Sequence, residues 1–263
     1  MRKSIVITGA SKGIGRAVAD PLAEQGWSVI GVARSSPRHF PGVFIETDLA
    51  DQNQTYALAK DLAARGDVFG IVNNVGVARH ETIDAVYFEA FTAVMDLNVR
   101  PALQLTQALL PNMRSARFGR IINVTSLVTR GLAFRSSYAA AKAALESLTR
   151  TMAVELAADG ITANAIAPGP TETELFRANN PPGSEGEARY LKGVPMRRFA
   201  QPAEIAAAIA FLAGDKAAFI TGQTLFVDGG ASLGRLLELV TRGANSWIAH
   251  QNPFPTDFRW CDP

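Results

Sequence analysis

Tyr138 and Lys142 flank three alanines in Tyr138-Ala139-Ala140-Ala141-Lys142. Residues four apart on a helix share a face, so this segment aims a phenol and an ammonium into one space. A free phenol has a pKa of about 10 and is a poor base at neutral pH. Lowering it by about three units takes roughly 4 kcal/mol. One cation about 4 Å away supplies that much at an effective dielectric of about 20. The pair is therefore a candidate proton donor and acceptor with its own electrostatic partner. A hydroxyl, Ser126, closes the run Ile121-Ile122-Asn123-Val124-Thr125-Ser126 twelve residues earlier. Thr125 competes with it, because successive residues of a strand face opposite ways. In isolation the Tyr/Lys pair is a common helix surface, and its context has to decide.

A second feature is built to bind. Thr8-Gly9-Ala10-Ser11-Lys12-Gly13-Ile14-Gly15 follows a strand-like run and opens a helical one. Glycines there permit a tight turn and let the backbone approach a pyrophosphate, while the free N–H groups of the helix's first turn face the anion. The position between first strand and first helix points to a dinucleotide. Arg34 ends the second strand, where a carboxylate would accept hydrogen bonds from a ribose 2′-hydroxyl. An Arg there, with Lys12 in the glycine loop, suits a 2′-phosphate instead. The expected cofactor is NADPH/NADP+.

The elements that must position these groups alternate. Strand-like runs lie at 5–8, 29–33, 43–46, 68–72, 120–124, 162–166 and 224–227, and helical spacing at 14–25, 53–65, 87–113, 136–158 and 202–212. Pro101 and Pro111 are expected to disturb the third helix. Buried apolar strands separated by helices imply a parallel sheet covered on both faces. Two segments break the rhythm. Residues 34–42 hold two prolines and no helical period, so that crossover is abbreviated. Residues 171–200 hold Asn179-Asn180-Pro181-Pro182-Gly183 and read as a long irregular lid.

Composition narrows the function classes. Among 263 residues, Lys+Arg number 26 and Asp+Glu 24, too even a balance for a nucleic-acid-binding stripe. No uncharged run reaches the roughly 20 residues that span a bilayer. The apolar run at 5–7 is too short for a signal peptide. The only cysteine is Cys261, which suits a reducing cytoplasm. The reading is a cytoplasmic protein with no nucleic-acid or membrane partner and no metal.

The glycine spacing is Gly-x-x-x-Gly-x-Gly, and here the sequence resembles the short-chain dehydrogenase/reductase family, whose motif is Thr-Gly-x-x-x-Gly-x-Gly. The resemblance runs from Ser4 to about Gly230 with every motif in order, ending at Val227-Asp228-Gly229-Gly230. It implies an α/β doubly wound (Rossmann) fold, a single domain with a seven-stranded parallel sheet and helices on both faces. That domain would span 1–234, with a substrate lid at 172–200 and a C-terminal extension at 235–263. The implied cofactor contacts are Gly9, Ser11, Lys12, Gly13, Ile14, Gly15, Arg34, Asp48, Leu49, Asn74, Val75, Gly76, Tyr138, Lys142, Pro168, Gly169, Thr171 and Thr173. Asp48 matches the Asp that receives the adenine amino group, with a helix N-cap as its alternative. Val75 replaces the family's Ala, and its extra methyls are expected to tighten the adenosine side. The turn at Pro168-Gly169 would lie against the nicotinamide, with the Thr171 backbone and Thr173 hydroxyl holding the carboxamide.

The resemblance also implies the catalytic set Asn98, Ser126, Tyr138 and Lys142. Tyr138 would protonate the developing alkoxide and Ser126 would hold the same oxygen. Lys142 would lower the Tyr138 pKa and bind the nicotinamide ribose. Asn98 would disturb the long helix and hold a water in a proton relay. The implied activity is NADPH-dependent reduction of a ketone to a secondary alcohol. Alternatives are an NAD(P)+-dependent alcohol or dihydrodiol dehydrogenase, a 3-oxoacyl-carrier-protein reductase, or a non-catalytic NADPH-binding regulator. Arg117 and Arg120 stand where carrier-protein reductases often have basic residues, whereas Asp159 would repel an acidic carrier. A small-molecule ketone or alcohol is therefore expected as substrate. Family members pair the long helices, so a homotetramer or dimer is expected.

Overall fold

Alternation within the strands builds two cores. Ile5, Ile7, Val29, Val72 and Ile122 face one side of the sheet, packed with Val18, Leu22, Ile205 and Ile209. Val6, Ile30, Val32, Ile71 and Ile121 face the other, packed with Leu58, Leu62, Leu105, Leu109, Met113 and Leu156. Both faces of each central strand are thus removed from water, as parallel sheets require. The computed structural model describes residues 3–233. The expected boundary at 234 and the extension at 235–263 lie outside the described residues.

Seven strands form the sheet: β1 (Ser4–Thr8), β2 (Ser28–Ala33), β3 (Gly42–Glu46), β4 (Val68–Asn73), β5 (Gly119–Val124), β6 (Ile161–Pro168) and β7 (Thr224–Val227). Their order is β3-β2-β1-β4-β5-β6-β7 and every pairing is parallel. Helices α1 (Gly13–Ala17), α2 (Ala19–Glu24) and α8 (Pro202–Ala213) cover the first face. The second carries α3 (Gln52–Ala64), α4 (Phe88–Ala116) and α5 (Ser136–Leu156). The winding reverses between β1 and β4, which opens a crevice at their carboxyl ends.

Three expectations change. The helix expected over 14–25 is divided at Val18. Pro21 has no N–H to give the Ala17 carbonyl four residues back, and its ring crowds that carbonyl. In contrast, α4 runs unbroken through Pro101, Pro111 and Asn98. Its buried face of Val94, Leu105, Leu109 and Met113 outweighs two missing backbone bonds. The 171–200 segment is not irregular, because it holds α6 (Glu174–Asn179) and α7 (Glu185–Lys192). Each has a hydroxyl N-cap: Phe176 N–H donates to Thr173 and Glu187 N–H to Ser184. The abbreviated crossover is as expected. Between β2 and β3 there is no helix, and Phe40 and Phe44 pack edge to face over Gly31.

One hydroxyl pins the crevice. Thr8 Oγ1, fully buried, accepts the N–H groups of Asn74 at 2.9 Å and Val75 at 3.0 Å. Thr8→Val leaves both donors without that acceptor. It should cost about 1–3 kcal/mol of stability, read from urea unfolding, and should weaken dinucleotide binding because the β1 and β4 ends separate.

Candidate active site

The glycine loop owes its shape to contacts that only glycine allows. Gly9 and Gly13 have φ of 68° and 56°, the left-handed region that side chains disfavour. A methyl group on Gly15 would lie 2.3 Å from the Gly9 carbonyl oxygen and 2.6 Å from Asn74 Nδ2. Asn74 Nδ2 in turn donates to the carbonyls of Thr8 and Gly9. The first turn of α1 is therefore pressed against the end of β1, with its N–H groups turned outward. A cavity of about 700 Å³ opens there, lined by Ser11, Lys12, Gly13 and Thr173, by Arg16 and Arg177, and by the carboxylates of Asp20, Glu172 and Glu174. Arg16 pairs with Asp20 and Arg177 with Glu172, which leaves Lys12 as the cation beside a glycine cradle tight enough for a pyrophosphate.

Lys12 and Arg34 are both exposed, and neither side chain has a hydrogen-bond or ion-pair partner among the described residues. They are placed at the loop's helix end and the carboxyl end of β2. Asp48 is not the helix cap. Asp51 caps α3 by accepting from Asn53 and Gln54, while the Asp48 carboxylate accepts from Ala50 N–H. Leu49 is buried, and its carbonyl accepts from Arg100, which a carboxylate pair with Asp96 orients. Val75 is half-buried and packs against the core on the α3 and α4 side of the sheet.

At the reaction centre the structure brings Asn98, Ser126, Tyr138 and Lys142 together. Thr125 is eliminated as the substrate hydroxyl, since its buried Oγ1 donates to the Ile166 carbonyl at 3.0 Å. Ser126, the next residue, caps the following turn, its Oγ accepting from Val128 N–H at 3.3 Å. Burial pushes the Tyr138 phenol up to about 12, while the neighbouring Ser126 hydroxyl and the Arg135 charge pull it down. Burial pushes the Lys142 ammonium down to about 8. Lys142 Nζ donates to the Val124 carbonyl at 2.9 Å and lies 5.6 Å from the Tyr138 ring centre. The ammonium is thus anchored on β5, and in the cofactor-free chain it does not bring the phenol down to neutrality. A phenol held above its ordinary pKa stays protonated at neutral pH and suits proton donation.

Asn98 does not interrupt α4. Its Nδ2 donates to the carbonyls of Val94, four residues back, and Val77. Its Oδ1 is buried without a partner. A methyl on Gly76 would fall 2.5 Å from that Oδ1 and 3.2 Å from Lys142 Nζ. Gly76 therefore leaves one polar space shared by Asn98 and Lys142, the chemistry that a relayed water needs.

The 172–200 segment is clasped at both ends. Ala200 N–H donates to the Pro170 carbonyl, and Glu172 N–H donates to the Ala200 carbonyl. Neither bond uses the N–H of Thr171 itself. Gly229 and Gly230, with φ of 61° and 85°, pack against Val194, Pro195 and Met196, which gives the Asp228-Gly229-Gly230 turn its role. Pro168 and Gly169 end β6 beside that turn, because Gly169 lies against Asp228. Within the segment, Arg177 bridges Glu172 and Glu187 and Phe176 stacks edge-on with Tyr190 and Phe199. Leu175 and Met196 stay exposed, whereas Val194 is buried. The α7 residue Tyr190 lies close enough to act electrostatically on Tyr138.

Some contributors were missed in the sequence. Thr8 opens the glycine motif in the sequence, but its hydroxyl's role as acceptor for Asn74 and Val75 is not visible there. Asn73, Asn123 and Thr149 form a buried hydrogen-bonded ladder behind the site, and nothing local marks them as neighbours. The charges read for a carrier protein also change meaning. Arg120 is 3 % exposed, stacked on Phe118 and bonded to the Gly119 carbonyl. Asp159 is paired with Arg114 at 3.0 Å. A buried Arg cannot greet a carrier, and a neutralised Asp does not repel one, so the objection to carrier-bound substrates falls.

A family profile described as enoyl-(acyl carrier protein) reductase matches residues 9–232. The chain belongs to the short-chain dehydrogenase/reductase family and is an oxidoreductase. Within it, the chain is 41% identical over 242 residues to a 3-oxoacyl-acyl-carrier-protein reductase of Vibrio cholerae, covering 87% of this chain and 96% of the relative. Its identity to the Escherichia coli enzyme of the same name is 38% over 240 residues, with 87% and 96% covered. Among solved structures, a short chain dehydrogenase/reductase family protein superposes with a TM-score of 0.80 at 35% identity, over 89% of this chain and 100% of that one. The NADPH dependent reductase YwfH, involved in bacilysin biosynthesis, gives 0.80 at 26%, over 88% and 98%. Among the described residues no helix is long and apolar enough to cross a membrane.

The buried Lys142 makes a linkage prediction. Its pKa falls from 10.5 unfolded to about 8 folded. The stability it contributes is present above the unfolded value and lost as pH falls through the folded one. Tyr138, raised from 10.0, acts only at higher pH. Urea midpoints of the protein should rise between about pH 8 and about pH 10, and Lys142→Met should flatten that rise.

Proposed function

We propose that this protein is an NADPH-dependent carbonyl reductase acting on 3-oxoacyl thioesters. The observation that carries the reading is the cluster of Ser126, just past the end of β5, with Tyr138 and Lys142 on α5, Lys142 Nζ lying 5.6 Å from the Tyr138 ring centre. The relatives at 35–41% identity share the 3-oxoacyl-acyl-carrier-protein reductase name, which supports the substrate class. Bound NADPH supplies the hydride. Ser126 donates a hydrogen bond to the carbonyl oxygen as charge builds on it, and Tyr138 gives that oxygen its proton. Lys142 holds the ribose and, with Asn98, returns a proton to Tyr138 through the polar space beneath Gly76. Arg34 and Lys12 hold the 2′-phosphate. The Val154 side of α5 is exposed and supports pairing of the long helices in a homo-oligomer. The reading includes a cytoplasmic setting.

Substrate and cofactor experiments test this. Initial rates with NADPH should be highest for a 3-oxobutanoyl thioester. They should be lower for simple ketones and absent for a 2-butenoyl thioester, whose reduction would point to the enoyl chemistry of the family description. Tyr138→Phe should lose about 10²-fold or more in kcat with NADPH affinity unchanged, and a variant keeping a tenth of the wild-type rate would remove Tyr138 from the acid role. In a second test, replacing Arg34 and Lys12 together with Ala should collapse the preference for NADPH over NADH.

A further inference from the structure

Tyr138 sits in the least secured part of its helix. It is the third residue of α5, and the first N–H groups of a helix have no acceptor within it. The residue at the N-cap is Arg135, which makes no side-chain cap bond. The Ser137 N–H is satisfied from elsewhere, by Glu81 Oε1 at 3.0 Å. Glu81 lies in the β4–α4 connection and is only 8 % exposed. Its own N–H donates to the Phe134 carbonyl, and it forms an isolated parallel bridge with Arg135. Its Oε2 is 3.8 Å from Arg79 Nε. The same connection holds Asn98 through the Val77 carbonyl.

We infer that Glu81 is a positioning residue whose carboxylate caps the first turn of α5 and holds the Tyr138 hydroxyl in register with Ser126 and Lys142. A carboxylate at this end also complements the helix dipole. Lys142 is secured separately, one turn further along, through the Val124 carbonyl. Loss of the cap therefore moves the phenol relative to its partners and does not move the set together. The inference rests on the reading of Tyr138 as proton donor.

The test compares Glu81→Ala, Glu81→Asp and Glu81→Gln with Tyr138→Phe, using NADPH and a 3-oxobutanoyl thioester. Glu81→Ala removes the acceptor, and Glu81→Asp keeps the charge but falls short of the Ser137 N–H. Both should lose about tenfold or more in kcat, as expected when a reacting group is misplaced by about an ångström. The KM and the NADPH dissociation constant should change less than about twofold, because the cradle does not depend on the cap. Glu81→Gln keeps an acceptor oxygen at full reach and should recover most of the wild-type kcat. Should Glu81→Ala fail to fold, Glu81→Asp carries the comparison. The inference is overturned if Glu81→Ala or Glu81→Asp retains the wild-type kcat, or if Glu81→Gln is as slow as Glu81→Ala. In either case an inactive Tyr138→Phe leaves the donor reading standing, whereas an active Tyr138→Phe removes the donor reading itself.

Discussion

The distance between the end of β1 and the start of α1 governs this molecule. Gly15 presses on the Gly9 carbonyl, Asn74 bonds that same carbonyl, and Thr8 receives two backbone donors from the β4 end. Three segments of backbone meet with no room for a side chain. From that knot the rest follows. The outward N–H groups of α1 face the crevice, β4 turns at Gly76, and the turn supports Asn98 and Lys142 from below. A wider separation would spread the cradle and displace the relay together, so phosphate binding and proton handling share one mechanical foundation.

Burial sets the character of the reaction centre. Lys142 is buried and Tyr138 half-buried, and each responds by favouring its neutral form. The site is thereby poised to give a proton more readily than to take one. Dryness also magnifies the few polar contacts present, which is why a single Ser126 hydroxyl and a single Val124 carbonyl have so much authority over the geometry. Buried polar ladders such as Asn73–Asn123–Thr149 keep the underlying sheet from offering alternative packings.

What was legible in the sequence was whatever is local. The Tyr138/Lys142 spacing, the glycine pattern and the alternation of strand and helix are short-range, and the structure carries all of them. Choosing Ser126 over Thr125 needed the β6 carbonyl opposite, a partner about forty residues away in the chain. Glu81 was invisible for the same reason, because nothing in a polar loop announces that it will cap a helix begun 56 residues later. Charge was misread where burial was unknown: Arg120 looks like a surface cation and is sealed under Phe118. The short helices α6 and α7 were hidden by the prolines between them, although Thr173 and Ser184 were ordinary cap residues in plain view.

The clasp at Ala200 has a consequence for how such a protein diversifies. With Ala200 joined to Pro170 and Glu172, the 27 or so residues between them form an excursion whose ends are tied together. Thr173 and Arg177, near its start, line the cavity beside the glycine loop, whereas the stretch around α7 lies further along. A segment held this way can accept insertion or deletion in its middle without loosening the two ends that join it to β6.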